Sequence, residues 1–228
     1  MANNSAFRYQ DFSKTATAVS LERVEGQFPA LPLPALNCLP HNSLSRSAVA
    51  QVSGRRSSGR TSIALYALAQ ATGRGEICAV IDLYDSFHPA SGDAAGIQLD
   101  RILWVRCHGN AEHALRATDL LLHAGGFGVV LLDLCDAAPR VLNRIPLSYW
   151  YRFRRAVEHT PAILLICADS PQANSCILNG LELEPKAFHW SGKPPFLRLH
   201  GIEAQATLRR TTAQRMRAAS PLSIQALA

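Results

Sequence analysis

Lysine is scarce in this chain of 228 residues, which carries only Lys14, Lys186 and Lys193 among its 23 basic residues. The other basic residues are arginines, whose planar guanidinium groups suit phosphate and carboxylate recognition better than lysine does. The net charge of +6 is compatible with a nucleic acid or an acidic protein as partner. It is equally compatible with an ordinary solvated basic surface.

Long apolar runs and paired cysteines are also missing from the sequence. Arg, Asp, Pro or Gly interrupts every apolar stretch before the roughly 20 residues that a membrane helix needs. The first residues, MANNSAFRYQDFSK, contain no apolar signal-peptide core, so we expect a cytoplasmic protein without a membrane segment. None of the six cysteines forms a CxxC pair, and no histidine has metal-ligand spacing to them. The sequence therefore predicts buried free cysteines, no disulfide and no structural metal.

The chain divides into three parts by its residue pattern. Residues 1–45 are predicted to be an N-terminal extension and linker, with a short helix near 15–23 followed by the proline-rich FPALPLPALNCLP. Residues 46–210 alternate apolar strands with amphipathic helices. This alternation predicts an α/β core with a mostly parallel central sheet, helices on both faces, and antiparallel strands at its C-terminal side. Residues 211–228 are rich in Arg, Ala and Ser, and we expect a flexible basic tail.

Individual elements of the core can be placed from periodicity. Near-continuous apolar runs predict strands, covered on both faces, at 48–54, 76–83, 101–107, 128–135 and 162–169. Helical spacing predicts helices at 61–72, 110–125 and 146–159, with Asn110 as an N-terminal cap and Gly73 and Gly125 just past two C-termini. Open sheets of this kind bind ligands at the carboxyl ends of their strands.

A phosphate-loop pattern stands between the first core strand and the first helix. The segment Gly54-Arg55-Arg56-Ser57-Ser58-Gly59-Arg60-Thr61 fits the pattern of a glycine, four variable residues and Gly-Lys-Ser/Thr, except that Arg60 replaces the lysine. In such a loop, backbone amides and the helix N-terminus hold phosphates, and the Ser or Thr hydroxyl holds Mg²⁺. The predicted residues of this degenerate nucleotide site are Gly54, Ser57, Ser58, Gly59, Arg60, Thr61 and Ser62.

The loop and the segments after it resemble the RecA recombinase core. The resemblance covers about residues 45–210 and includes GRRSSGRTSIALYALAQA, GEICAVIDLYDSFHP and HALRATDLLLHAGGFGVVLLDL in the family's order. It implies that Asp133 is the Walker-B aspartate, and that ATP with Mg²⁺ is the family's ligand. The family's catalytic glutamate falls at Tyr84, whose phenol is a poor general base at neutral pH. With Arg60 in the loop as well, no efficient ATPase and no catalytic residue are predicted.

Within the RecA-like superfamily the reduced core is most similar to the ImuA group, sometimes labelled SulA-like. This resemblance implies an accessory protein of the SOS response and translesion synthesis, with RecA and a Y-family polymerase-like protein as partners. The alternative is a slow ATPase or ATP-gated switch that binds single-stranded DNA.

A third function, direct contact with single-stranded DNA or a partner, would use basic residues near aromatic ones in the predicted helix at 146–159. Arginines beside aromatic rings have the composition of a stacking and phosphate-binding surface. The same residues also fit an ordinary amphipathic helix, with Trp150 and Phe153 in the core and the arginines in solvent. The candidate contacts are Arg144, Arg152, Arg154 and Arg155, and a second basic cluster is Arg209, Arg210, Arg215 and Arg217.

Overall fold

The computed structural model describes residues 28–172, 176–209 and 220–225. The helix predicted near 15–23 and most of the second basic cluster lie outside these ranges. In the part of the chain that is described, no helix is long and apolar enough to cross a membrane.

An eight-stranded sheet forms the centre of the structure, and a two-stranded sheet precedes it. The two short strands are β1 (Leu31–Pro32) and β2 (Ser43–Leu44). The strands of the large sheet are β3 (Ala48–Ser53), β4 (Ile77–Asp82), β5 (Ile102–Arg106), β6 (Phe127–Asp133), β7 (Ile163–Ala168), β8 (Asn179–Ser191), β9 (Arg198–Arg209) and β10 (Ser220–Gln225).

The large sheet has the order β10-β9-β8-β3-β7-β6-β4-β5. All neighbouring pairs from β8 to β5 are parallel, whereas β9 is antiparallel to both β8 and β10. This confirms the predicted mostly parallel sheet with antiparallel strands at the C-terminal side.

Helices cover both faces of the sheet, as predicted. They are α1 (Arg60–Thr72), α2 (Pro89–Ala94), α3 (Ala111–Ala124), α4 (Pro139–Leu142) and α5 (Leu147–Val157). Successive strand residues point to opposite faces, so Ala50 and Val52 pack in the core on the α1 side and Val49 in the core with α3 and α5. The predicted cap is confirmed, since the Asn110 side chain accepts a hydrogen bond of 3.1 Å from the backbone N–H of His113.

Gly73 lies just past the C-terminus of α1, as predicted, and keeps helical angles (φ −61°). The left-handed residue is Gly75 (φ +82°), because the chain makes one more hydrogen-bonded turn before β4. One strand prediction is corrected by the structure. The strand at 101–107 is not covered on both faces. It is the edge strand β5, and Leu103 is 44% exposed.

The core extends beyond the predicted boundaries at both ends. Residues 28–45, predicted as a linker, include Leu31, Leu33 and Leu36, which are buried in the core with α1. Residues 220–225, predicted as part of a flexible tail, form β10, because the alternating Leu222 and Ile224 can face the core while β9 supplies hydrogen bonds.

Candidate functional site

The phosphate-loop segment lies where the sequence places it, between β3 and α1 at the carboxyl ends of the parallel strands. Gly54 is packed so closely that an added Cβ would lie 2.6 Å from the carbonyl oxygen of Leu183. Gly59 has φ +89°, which favours glycine, and an added Cβ there would collide with Ile224 of β10. The glycines therefore shape this loop, and β10 covers one side of it.

Arg60, the residue in the lysine position, is buried and bonded within the chain. Its side chain is 6% exposed. Its Nη2 lies 2.9 Å from Oδ1 of Asp136, and its Nη1 lies 2.7 Å from Oδ1 of Asp169. Nη1 also donates a hydrogen bond to the carbonyl oxygen of Gly54. The guanidinium group is thus held by two carboxylates and a carbonyl from the ends of three strands.

Asp136 is the centre of this ion-pair network. Its carboxylate also accepts a hydrogen bond of 2.8 Å from Nε of Arg56, and its backbone N–H donates to Asp169 over 2.9 Å. The hydrogen bond from Arg56, together with the charge of Arg60, holds the pKa of Asp136 below its ordinary value. Both aspartates were missed by sequence reasoning. The available signal was that Asp169 directly follows the buried strand β7 and Asp136 lies three residues after the end of β6, at the edge where ligands bind.

The hydroxyl residues of the loop are in different environments. Ser58 is fully buried, and its Oγ has no hydrogen-bond partner among the described residues. Ser57 is exposed with φ +59°. Thr61 is exposed and Ser62 half-buried, both in the first turn of α1.

Asp133, the predicted Walker-B residue, ends β6 as expected and is buried. Its Oδ1 accepts a hydrogen bond of 2.9 Å from the backbone N–H of Cys135, and its Oδ2 accepts one of 3.1 Å from Ser86 Oγ. Burial raises the pKa of Asp133 despite these hydrogen bonds. Both carboxylate oxygens are thus engaged by the chain itself.

Tyr84 and Asp85 follow the end of β4, at and beside the position where the resemblance implies the family's catalytic glutamate. Tyr84 is 42% exposed. The adjacent Asp85 forms an ion pair with Arg106, with Nη2–Oδ2 at 3.1 Å, and contacts His108 Nδ1 at 2.8 Å. The hydrogen bond from Arg106 holds the pKa of Asp85 below its ordinary value, which makes this carboxylate a weaker base.

The four arginines proposed to contact DNA differ in their surroundings, and one of them, Arg152, lies over the Tyr149 ring with its guanidinium carbon 5.6 Å from the ring centroid. Trp150 and Phe153 are buried in the core. Arg152 forms an ion pair with Asp119. Arg154 pairs with Glu158 at 3.4 Å, whereas Arg144 and Arg155 are exposed and form no ion pair with another described residue. The amphipathic-helix interpretation therefore accounts for Trp150 and Phe153, and DNA contact by the arginines stays a prediction.

Comparison with known proteins gives a consistent family. Residues 35–141 match the RecA N-terminal domain family. Protein RecA of Lactobacillus johnsonii is 29% identical over 127 residues, covering 54% of this chain and 35% of that protein. Protein RecA of Treponema denticola is 35% identical over 88 residues, covering 39% of this chain and 21% of that protein. The chain thus spans only about a fifth to a third of the length of these relatives.

Proposed function

Because the chain is a RecA-like protein, we propose that it serves as a non-catalytic accessory protein of the DNA damage response, acting by contact with other proteins. Its resemblance to the ImuA group makes translesion synthesis the proposed setting. RecA and a Y-family polymerase-like protein are the proposed partners. The observation that carries the proposal is the ion pairing of Arg60 with Asp136 and Asp169.

The residues, as they are arranged, do not fit an ATP–Mg²⁺ complex. The lysine of a working loop directs an unpaired cation at the terminal phosphates, but Arg60 is engaged by two carboxylates of the chain. A phosphate entering the loop would break these ion pairs and face the negative charges of Asp136 and Asp169. Loss of one partner of a buried ion pair costs several kcal/mol, on the order of 3 kcal/mol. The loop is therefore better suited to a structural role than to nucleotide exchange.

Hydrolysis lacks a second requirement, a base that activates water. Tyr84 occupies the position of the family's glutamate, and Asp85 is paired with Arg106. Two parts of the reaction centre are thus altered in ways that reduce catalysis independently of each other. This is what we expect of a RecA-like fold retained as a scaffold for protein contacts.

The first experiment measures nucleotide binding and turnover. Calorimetry with ATP and Mg²⁺, followed by phosphate release with and without single-stranded DNA, should show no hydrolysis above the protein-free rate. A bacterial RecA protein is the positive control. Arg60→Lys, alone and combined with Tyr84→Glu, tests whether the two altered positions are the cause. DNA-stimulated hydrolysis by the wild type, abolished by Asp133→Asn, would refute the non-catalytic proposal.

The second experiment tests the partners. The full chain, immobilised, is incubated with purified RecA and with the polymerase-like protein from the same genome, at two salt concentrations. We expect saturable binding to at least one of them without added nucleotide. Absence of binding to both removes the proposed role, even if the protein proves inactive towards ATP.

One observation favours the nucleotide-gated switch as a second candidate. Ser58 Oγ is buried in the loop without a hydrogen-bond partner among the described residues, and such orphaned groups often receive a ligand or water. Calorimetry distinguishes the candidates, because a switch binds ATP and ADP with different affinities whereas a scaffold binds neither. If a switch is found, binding of single-stranded DNA should depend on which nucleotide is present.

A further inference from the structure

Three side chains with metal-binding groups meet next to the phosphate loop: Asp133, Cys135 and Cys167. Their carboxylate oxygen and two Sγ atoms all lie within 4.8 Å of one another. The two Sγ atoms are 3.2 Å apart, and both cysteines are buried. No local pattern indicates this cluster, because Cys135 and Cys167 are far apart in the chain and the parallel pairing of β6 with β7 brings them together.

We propose that Asp133, Cys135 and Cys167 form a binding site for a thiophilic divalent cation such as Zn²⁺. Two thiolates and a carboxylate are ligands that zinc accepts, and three protein ligands leave a fourth position for water or another exogenous group. Magnesium, which the RecA resemblance implies for Asp133, prefers oxygen ligands only. The site would therefore give Asp133 a different metal from the one that its family position suggests.

The distance between the sulfur atoms is closer to a metal site than to a disulfide. Two thiolates bound to zinc at about 2.3 Å in tetrahedral geometry lie about 3.8 Å apart. A disulfide requires about 2.05 Å. The observed 3.2 Å needs a small opening to admit a metal ion, which a rotation of either side chain provides. Closure to a disulfide needs a larger movement of two buried residues.

The charges around the cluster also favour a cation. Asp82 and Asp133 are buried carboxylates at the ends of neighbouring strands, and neither forms an ion pair with another described residue. A zinc ion with two thiolates and one carboxylate carries one net negative charge. Arg60 lies near enough to interact electrostatically with both cysteines and would balance that charge.

Burial disfavours oxidation of the two cysteines by a peroxide. Cys135 is 7% and Cys167 is 1% exposed, so an oxidant in solvent has little access to either sulfur atom. Metal binding does not need a free thiolate beforehand, because a bound cation displaces the proton from its ligand. Buried, closely spaced cysteines in β7 and in the turn after β6 are therefore better placed to hold a metal than to react with an oxidant.

The experiment loads the full chain with Co²⁺, whose absorption reports thiolate ligands. The protein is purified with a reductant, dialysed against a chelator and titrated with Co²⁺ in the presence of excess Mg²⁺. We expect one Co²⁺ per chain, with thiolate-to-cobalt charge-transfer absorption that Zn²⁺ abolishes. Cys135→Ala and Cys167→Ala should lose this signal, and Asp133→Asn should weaken binding at least about tenfold. Cys107→Ala, at a buried cysteine outside the cluster, is the matched control and should keep the signal.

Three results would overturn the proposal. The first is no metal bound by the reduced wild type, and the second is a Co²⁺ spectrum without thiolate bands. The third is only four free thiols in the denatured, unreduced protein, with the disulfide mapped to Cys135 and Cys167. The wild-type spectrum decides the question even if the cysteine variants fail to fold. The result is also independent of the proposed function, since a scaffold and a nucleotide switch could each contain this site.

Discussion

Arg46 and Arg60 are buried to the same extent at opposite ends of the sheet, each with its side chain 6% exposed. At the amino end, Arg46 pairs with Glu76 through contacts of 2.9 and 2.5 Å and donates to the carbonyl oxygen of Gly128 over 3.0 Å. At the carboxyl end, Arg60 pairs with two aspartates and the carbonyl of Gly54. The two arginines thus have the same kind of partners.

Arg60 is therefore bonded like a structural arginine. Nothing in the sequence pattern suggests a ligand for Arg46, which holds together the segments before β3, β4 and β7 and the start of β6. Arg60 occupies a ligand-binding position, yet its guanidinium group is satisfied in the same way. The partners differ in exposure, however: Glu76 is 25% exposed, whereas Asp136 and Asp169 are each 38% exposed. Arg46 should therefore contribute more to stability.

Arg46→Met should give the largest loss of stability. The substitution leaves Glu76 partly buried without its cation, and breaking a buried pair costs about 3–5 kcal/mol. We expect a decrease of about 3 kcal/mol in the free energy of unfolding, measured by urea denaturation followed by circular dichroism. Arg74→Met, at an exposed arginine, is the control and should change stability little. A loss no greater than the control's would show that this ion pair is not structural.

Arg60→Met should destabilise the protein by less, about 2 kcal/mol, because solvent partly hydrates Asp136 and Asp169 when the guanidinium group is removed. Arg60→Lys should lie between the wild type and Arg60→Met, since it keeps the charge but cannot hold both carboxylates with a planar fork. The same urea titration measures all three. Increased stability of Arg60→Met would contradict a structural role for Arg60 like that of Arg46. It would mean that Arg60 is retained for binding at a cost to the stability of the fold.

Gly59→Ala and Gly128→Ala test the packing beside the two arginines. Gly59→Ala imposes an unfavourable positive φ and a collision with Ile224, and we expect a loss of about 2 kcal/mol. Gly128→Ala would place its Cβ 1.8 Å from Oε2 and 2.9 Å from Cβ of Glu76, so Glu76 must move away from Arg46, and we expect a loss of about 2 kcal/mol. Thermal unfolding of both variants at one protein concentration measures these losses.

Gly75→Ala is the control for the backbone part of the Gly59 effect. Gly75 has φ +82°, and an added Cβ meets nothing within 4 Å. The stability lost in Gly75→Ala therefore reports backbone strain without a steric collision. Gly59→Ala should cost less stability when it is made in the Ile224→Ala variant than when it is made in the wild type, because the collision with Ile224 is then removed. No recovery would show that β10 does not press on the loop.

Acid should weaken the carboxyl-end network by the smallest amount. The pKa of Asp136 is held below its ordinary value by Arg56 and Arg60, so the folded state binds a proton less readily there than the unfolded state does. Its contribution to stability is therefore present above about pH 4 and is lost as the pH falls through the lower folded pKa. The free energy of unfolding, measured by urea denaturation, should fall between pH 6 and pH 3 in the wild type. In Asp136→Asn this decrease should be smaller by about 0.5 kcal/mol. Equal pH dependence in wild type and variant would contradict the assignment.

Local signals in the sequence were sufficient for most of the fold. The apolar runs that became β3, β4, β6 and β7 are short and bounded by turn residues, and the loop motif placed the start of α1. The edge position of β5 was not predictable in the same way, because an apolar run looks alike at the edge and in the middle of a sheet. Its exposure depends on which strand pairs beside it, and that is a property of the whole topology.

The candidate site was predicted in its position but not in its chemistry. The pattern located the phosphate loop and Asp133, because both are defined by neighbours in the chain. It could not show that Asp136 and Asp169 bind Arg60, or that Cys135 meets Cys167. Each of these contacts joins the ends of different strands. Such pairs become visible only when the strand order is known.

The segment from Leu31 to Leu44 limits how far this protein can be shortened from its N-terminal side. Five of its leucines are buried in the core with α1. A chain cut at residue 46, whether by a protease or by the choice of an expression boundary, would lose these side chains and leave the apolar surface of the helix in water. Contacts between copies would then cover it. A fragment that keeps the contacts of these leucines with α1 should begin before Leu31.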